Sequence, residues 1–279
     1  MLSEAKHLRA TQSRRRKNPQ KTTLRSLLHT LNRLHRRYHR PAFIAPDPLE
    51  VVLRYRDPRD QEVAGLVSAL LAYGGVQVIV RNATVVLDRL GPSPAEAVRR
   101  GNPAGWVRLF RVFRHRWTTG TEIAGLLRGM QILLKKHGSL NAAFLAASQK
   151  DDDTVLPALR TWASDLVAAG GAGCQTLVPD PAHGSACKRL FLYLRWMVRH
   201  DAVDPGAWSG IPASRLIVPL DVHMHRAALH LRLTRRRAAD LRTALEVTAA
   251  FRRLCPEDPV RWDFALTRAA MRGAGPVVS

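Results

Sequence analysis

Residues 184–200 read GSACKRLFLYLRWMVRH, and this stretch decides the interpretation of the chain. Its apolar side chains recur at the spacing i, i+3, i+4, i+7 and i+11, which is occupied by Cys187, Leu190, Phe191, Leu194 and Val198. A stripe of this kind is typical of a helix that buries one face. With Ser185 as the predicted N-cap, Lys188 lies at the third position of the first turn. We therefore expect a buried helix with a lysine at its amino-terminal end.

The same periodicity runs along most of the chain and predicts an all-α protein. One predicted helix begins at Asp57 or Asp60 and ends at Gly74 and Gly75. The best strand signal, Leu216-Ile217-Val218, is too short to organise a sheet. The other predicted helices cover residues 23–40, 76–90, 103–113, 121–137, 139–148, 154–169, 185–200, 221–231, 235–254 and 259–271.

The chain is strongly basic, with 44 Lys and Arg against 22 Asp and Glu and a net charge of +22. Residues 1–40 hold twelve basic residues and one acid, so half of this charge lies outside them, in residues 41–279. A basic globular body favours a polyanionic partner, most simply nucleic acid. An anionic membrane surface, or no polyanion at all, are the alternatives.

The amino-terminal residues and the cysteines indicate in which cellular compartment the protein functions. We expect residues 1–21 to be a disordered basic arm, although their composition also resembles an organelle transit peptide. No run approaches the 18 apolar residues of a membrane span. The three cysteines, Cys174, Cys187 and Cys255, are isolated and form no metal-ligand spacing. These features indicate a cytoplasmic protein without a structural metal.

Lysine is rare in this chain, which makes Lys188 conspicuous. Arginine supplies 37 of the 44 basic residues, and Lys188 is the one lysine after Lys150. A helix amino terminus disfavours a cation, and a neutral lysine amine is a nucleophile that forms a Schiff base with a carbonyl carbon. Arginine cannot replace it, since its guanidinium stays protonated. The alternative is an ordinary solvated lysine.

A second stretch, RLIVPLDVHMHRAALHL, covers residues 215–231. Asp221 follows an apolar run and opens an amphipathic helix, so it is predicted as an N-cap. A metal site built from Asp221, His223 and His225 is disfavoured, because on a helix His223 points away from the other two.

Together the two stretches carry a resemblance. VPLDVHM, residues 218–224, resembles the VP-x-D-x-H segment of 8-oxoguanine DNA glycosylases in the helix-hairpin-helix superfamily. The interval of 33 residues from Lys188 to Asp221 is similar to that of the archaeal enzymes. Over roughly residues 41–271 the chain also resembles a bacterial family of uncharacterised conserved proteins. That likeness rests on PDPAHGSACKRLFLYLRWMVRHDAVDPGAW, IVPLDVH and PEDPVRWDFAL.

The resemblance implies a two-lobed helical glycosylase-like domain over residues 22–279, with a catalytic segment at 184–231. It implies a base-excision DNA glycosylase and AP lyase in which Lys188 attacks a flipped, 8-oxoguanine-like nucleotide and Asp221 assists. No cofactor or metal is expected, and we expect a nucleoid-associated monomer. DNA is the expected partner, with RNA as the alternative. Candidate phosphate contacts are His223, Arg189, Arg195, Arg199 and Arg226, and candidate base-stacking residues are Trp196 and Trp208.

The chain also departs from the superfamily. The L-P-G-V-G type hairpin turn is absent, and residues 201–216 read DAVDPGAWSGIPASRL, so we expect a non-standard hairpin. No glutamine stands at 68–75, where related enzymes often insert one into the gap left by the flipped base, although Gln77 lies close by. Asp201, Asp204 and Asp263 are expected as caps or ion-pair partners. A non-catalytic nucleic-acid-binding protein, or an enzyme acting on another base, remain the alternatives.

Overall fold

The fold is built from helices, which confirms the all-α prediction. The computed structural model describes residues 19–273. The predicted basic arm therefore lies outside the described residues, except that its last three residues begin the first helix. The helices are α1 (Pro19–Tyr38), α2 (Leu49–Val52), α3 (Pro58–Leu70), α4 (Val76–Leu90), α5 (Pro94–Arg100), α6 (Pro103–Leu109), α7 (Gly120–His137), α8 (Leu140–Ala147), α9 (Leu156–Gly170), α10 (Lys188–Val198), α11 (Val222–His230), α12 (Leu241–Arg252) and α13 (Asp263–Met271).

Strand structure is confined to one small hairpin within residues 19–273. Strands β1 (Arg114–His115) and β2 (Thr118–Thr119) pair antiparallel, with Arg114 opposite Thr119 and His115 opposite Thr118. The stretch Leu216–Val218, our best strand signal, forms no strand. Its Val218 N–H donates instead to Thr248 Oγ1 at 3.0 Å, because the segment crosses the buried face of α12. Sequence periodicity also missed the short helices α2 and α5.

Helix α10 is buried along most of its length. Its buried side chains include Phe191, Leu194 and Trp196, each at most 1% exposed. It packs closely against α3 at Gly65. A Cβ on Gly65 would lie 2.9 Å from Met197 Cε of α10. The close approach of these two helices brings the end of α3 beside the beginning of α10.

A second close helix pair joins α7 and α9. A Cβ on Gly129 of α7 would lie 2.5 Å from the carbonyl oxygen of Leu166, which is backbone and cannot rotate away.

No helix among residues 19–273 is long and apolar enough to cross a lipid bilayer.

We expect Gly129→Ala to lower the free energy of unfolding by about 1–3 kcal/mol, because the added methyl group overpacks the α7–α9 contact. Gly105→Ala is the matched control: it lies within α6, and a Cβ there would lie 3.7 Å from Asn102 Cβ, an ordinary van der Waals contact. The control should be neutral or stabilising by up to about 1 kcal/mol, since alanine favours helix over glycine. Urea unfolding measures both. Equal effects of the two substitutions would contradict the tight α7–α9 contact.

Candidate active site

Lys188 occupies the first position of α10. The predicted N-cap was wrong: Cys187 holds that place, and Ser185 Oγ accepts a hydrogen bond from the Cys187 N–H at 3.3 Å. Cys187 is buried and has a left-handed backbone, with φ 45°. Burial raises the pKa of its thiol to about 11, so the thiol stays protonated. The tight turn before α10 therefore delivers a lysine, rather than a reactive cysteine, to the surface of the fold.

Asp221 lies where α11 begins, as the sequence predicts. Its Oδ1 accepts a hydrogen bond from the Met224 N–H at 2.8 Å, which caps the helix. Its Oδ2 lies 3.6 Å from Lys188 Nζ. One carboxylate oxygen is thus used to fix the side chain, and the other faces the amine. The lysine side chain is 33% exposed and the aspartate 18%, so the pair is reachable from solvent.

The Lys188–Asp221 pair opens onto a cavity of about 320 Å³. This volume is at the lower end of the range for small-molecule sites, about 300–1,000 Å³. Lys188, Leu192 and Arg195 of α10 line one side, at i, i+4 and i+7, which is one face of a helix. The other walls come from residues 46–48, the α3–α4 junction at 72–79, the start of α11 and helix α13.

Charged groups of both signs surround the cavity. Arg268 pairs with Asp47, and Arg195 Nη1 lies 2.5 Å from Asp263 Oδ2. Burial raises the pKa of Asp263 to about 6 against the attraction of Arg195, while its Oδ1 is buried without a hydrogen-bond partner. The two arginines of the wall are therefore held in ion pairs, and Lys188 supplies the accessible amine.

Arg195 and Arg199 do not lie at a surface where they could meet phosphate, so this prediction is corrected. Both are at most 6% exposed. Arg195 Nη2 binds Asp204 at 2.8 Å, and Arg199 pairs with Asp201, Asp204 and Asp258. The expectation that Asp201, Asp204 and Asp263 act as ion-pair partners agrees with this network. Asp201 and Asp204 follow α10 directly, whereas Asp258 and Asp263 come from a distant part of the chain, and together they neutralise the arginines inside the protein.

Of three other predicted DNA contacts, two are internal and the third, Arg189, is half-buried. The Arg189 guanidinium donates to the carbonyl oxygens of Leu70 and Leu177 at 2.8 and 2.9 Å. Trp196 is fully buried in the core. Trp208 is 6% exposed, and its indole N–H donates to Glu62 Oε2 at 3.0 Å. The two indoles therefore present no face to a nucleic acid, and the half-buried Arg189 has its Nη1 taken up by backbone carbonyl groups.

Two predicted contacts remain at the surface. His223 lines the cavity and Arg226 is exposed, three residues apart on the same side of α11. His225 is buried instead, with Nε2 2.9 Å from the Arg236 carbonyl oxygen. Within the described part of the chain, no three His, Cys, Asp or Glu side chains group as metal ligands would.

Several cavity residues escaped the sequence analysis. Asp47, Tyr73 and Arg268 lie in segments that carry no signal beyond helical periodicity and breaks. Phe264 stands in PEDPVRWDFAL, which was noted only as a family signature, and Asp263 beside it was expected as a cap or ion-pair partner and not as a wall of the cavity. All these residues lie within one stretch of the chain that a family model covers.

That model matches residues 47–272. The chain belongs to the family DUF2400, described as proteins of unknown function. The match agrees with the uncharacterised family expected from the sequence and spans every residue that lines the cavity except Pro46. Neither a curated protein nor a solved structure matches this chain.

We expect Arg195→Ala to lower the free energy of unfolding by about 3–5 kcal/mol, because it leaves the buried Asp204 and Asp263 without their cation. Arg226→Ala, which removes an exposed arginine, should change it by no more than about 0.5 kcal/mol. Thermal and urea unfolding check both variants. An Arg195 variant as stable as the Arg226 variant would contradict the internal role of this side chain.

Proposed function

We propose that the protein is a DNA glycosylase with AP lyase activity, in which the Lys188 amine forms a Schiff base with the deoxyribose of an extruded nucleotide. The observation that carries the proposal is the 3.6 Å approach of Lys188 Nζ to Asp221 Oδ2 at the edge of a cavity. A nucleophilic amine beside a fixed carboxylate is the minimum that this chemistry needs. The two-lobed glycosylase-like arrangement of the helices is part of the same proposal.

Asp221 and Lys188 have different roles in this reaction. Asp221, held in place by its bond to Met224, accepts a proton from the Lys188 ammonium, passes it on to the departing base and, as a carboxylate again, stabilises positive charge on the sugar. Lys188 Nζ then attacks C1′. The C1′–N bond to the base breaks, and the base leaves with the electron pair and takes up a proton.

The C1′–O4′ bond then breaks, O4′ takes up a proton that Lys188 Nζ gives up, and an imine forms between C1′ and Nζ. Loss of a C2′ proton then expels the 3′ phosphate by β-elimination, which breaks the strand. These steps use no oxidant or reductant. On a preformed abasic site the amine condenses with the C1′ aldehyde and releases water, so the same imine forms without a base to displace.

Surface groups around the site suit the DNA backbone. His223 lines the cavity, and Arg226 is exposed three residues further along the same side of α11. The turn before Lys188 bonds to the start of α12, where the Leu241 N–H donates to the Gly184 carbonyl oxygen at 3.1 Å. The segment before α12 adds the exposed Arg235 and Arg237. Phosphate contacts of this type give binding that weakens as the salt concentration rises.

Borohydride reduces an imine to a stable secondary amine, so it traps the proposed intermediate. We expect a covalent adduct between the protein and a duplex that carries an abasic site, and none with Lys188→Ala or Lys188→Arg. Duplexes with 8-oxoguanine test base removal separately. A protein that binds these duplexes without forming any adduct, or an adduct that survives in Lys188→Ala, would overturn the proposal in favour of a non-catalytic binder or another nucleophile.

Asp221→Asn separates catalysis from folding, because asparagine keeps an oxygen that can accept the Met224 N–H but loses the charge. We expect it to slow imine formation about 10²- to 10⁴-fold with little loss of stability. Asp240→Asn is the matched control, since Asp240 caps α12 in the same way through the Thr243 N–H at 2.8 Å. The control should leave the rate of trapping unchanged, and an equal loss in both variants would contradict a chemical role for Asp221.

A further inference from the structure

The hairpin between α6 and α7 carries an exposed aromatic side chain beside the cavity. Trp117, at its tip, is 59% exposed, whereas the other five tryptophans of the chain are each at most 6% exposed. A single exposed apolar ring is ordinary on a protein surface, and what distinguishes Trp117 is its surroundings. The ring is held in place, because one face of it stacks on Tyr73, with ring centroids 4.7 Å apart and planes at 16°.

Tyr73 connects the hairpin to the cavity. It lines the cavity with Lys188, and its hydroxyl donates to the His115 carbonyl oxygen at 3.0 Å. His115 Nε2 lies 3.1 Å from the Tyr73 carbonyl oxygen, and its Nδ1 accepts from Asn82 Nδ2 at 2.9 Å. Burial lowers the pKa of His115, which favours the neutral ring that this pattern of one donor and one acceptor requires. The hairpin is therefore held against the cavity wall.

The tip is also cationic. Arg111, Arg114 and Arg116 are exposed in and just before the hairpin, and the Arg116 guanidinium lies 4.9 Å from the centre of the Trp117 ring. An aromatic ring set among arginines matches a nucleobase flanked by phosphates, because the ring stacks on the base while the guanidinium groups pair with the backbone. This combination favours DNA over an apolar protein partner.

We propose that Trp117 is a wedge that enters the DNA stack at the position vacated by the extruded nucleotide. This inference rests on the proposed function, since the nucleotide that leaves the stack is the one that enters the cavity beside Tyr73. Removing a base from a duplex costs stacking energy, and a side chain inserted in its place restores part of it. The Tyr73–Trp117 stack holds the wedge at the side of the cavity where that gap forms.

Tryptophan emission tests the wedge directly, since Trp117 is the exposed tryptophan. The probe is a duplex with a tetrahydrofuran abasic analogue, which has a gap in its stack but no aldehyde that Lys188 can attack. We expect this duplex to quench the emission more than the same duplex without a gap. The quenching should disappear in Trp117→Phe. Equal quenching by both duplexes, or stronger quenching by the single strand, would overturn the wedge in favour of a general stacking surface.

Affinity gives the second measurement. Trp117→Ala should weaken binding to the gapped duplex about 5- to 150-fold, the loss expected for one stacked base, with a smaller effect on the intact duplex. Trp117→Phe should retain most of the affinity. The matched control is Val112→Ala, an apolar side chain that is 75% exposed just before the hairpin and should leave binding unchanged. Unchanged affinity of Trp117→Ala for the gapped duplex would overturn the inference.

The two proposals fail separately. Gap-dependent quenching without borohydride trapping on a true abasic site would leave the wedge standing and reject the Schiff-base chemistry. Trapping that depends on Lys188 but not on Trp117, with no quenching, would reject the wedge and leave the chemistry. A protein that binds none of these DNAs would reject both.

Discussion

The buried guanidinium of Arg195 is the constraint on which the site depends. A charge without water must be paired, and Arg195 is paired on both sides, with Asp204 and with Asp263 of α13. These bonds fix α13 against α10. Because Lys188 lies seven residues before Arg195, on the same face of the same helix, they also fix the wall of the cavity relative to the amine. The amine end of α10 stays at the surface, while the rest of the helix is locked in the core.

Helix positions were predictable because the information is local. The apolar stripe of α10 and the cap of α11 each depend on residues close together in the sequence. In the structure the stripe is buried and Asp221 caps α11, as predicted. The pairing of Lys188 with Asp221 was a different kind of prediction. Periodicity places each of them at a helix start, but nothing in a spacing of 33 residues brings two helix starts together. Only the resemblance to glycosylases suggested the contact, and the separation of 3.6 Å is a property of the tertiary fold.

The errors have a common physical cause. Arg195 and Arg199 follow the apolar stripe of α10 at positions that a sequence assigns to a solvated basic face, but acids from the segments 201–204 and 258–263 cover that face. Their burial depends on partners that the helix itself does not show. The hairpin around Trp117 was missed for a related reason. Its strands have two residues each, its turn lacks the usual glycine or asparagine, and contacts with Tyr73 and Asn82 hold it in place.

Backbone strain points to the same face of the molecule. Within residues 19–273, three residues other than glycine have a positive φ: Arg116, Cys187 and Arg232. Arg232 is explained by a helix end, because it follows α11 in a Schellman motif in which the Leu233 N–H donates to the Ala228 carbonyl oxygen. Neither of the others follows a helix. The positive φ of each residue costs about 1–2 kcal/mol. Arg116 directly precedes Trp117, and Cys187 directly precedes Lys188, and both Trp117 and Lys188 are proposed DNA contacts. The other two lie at turns beside one cavity, and these turns fix where Trp117 and Lys188 sit, which is the placement that the proposed wedge and the proposed Schiff base would need.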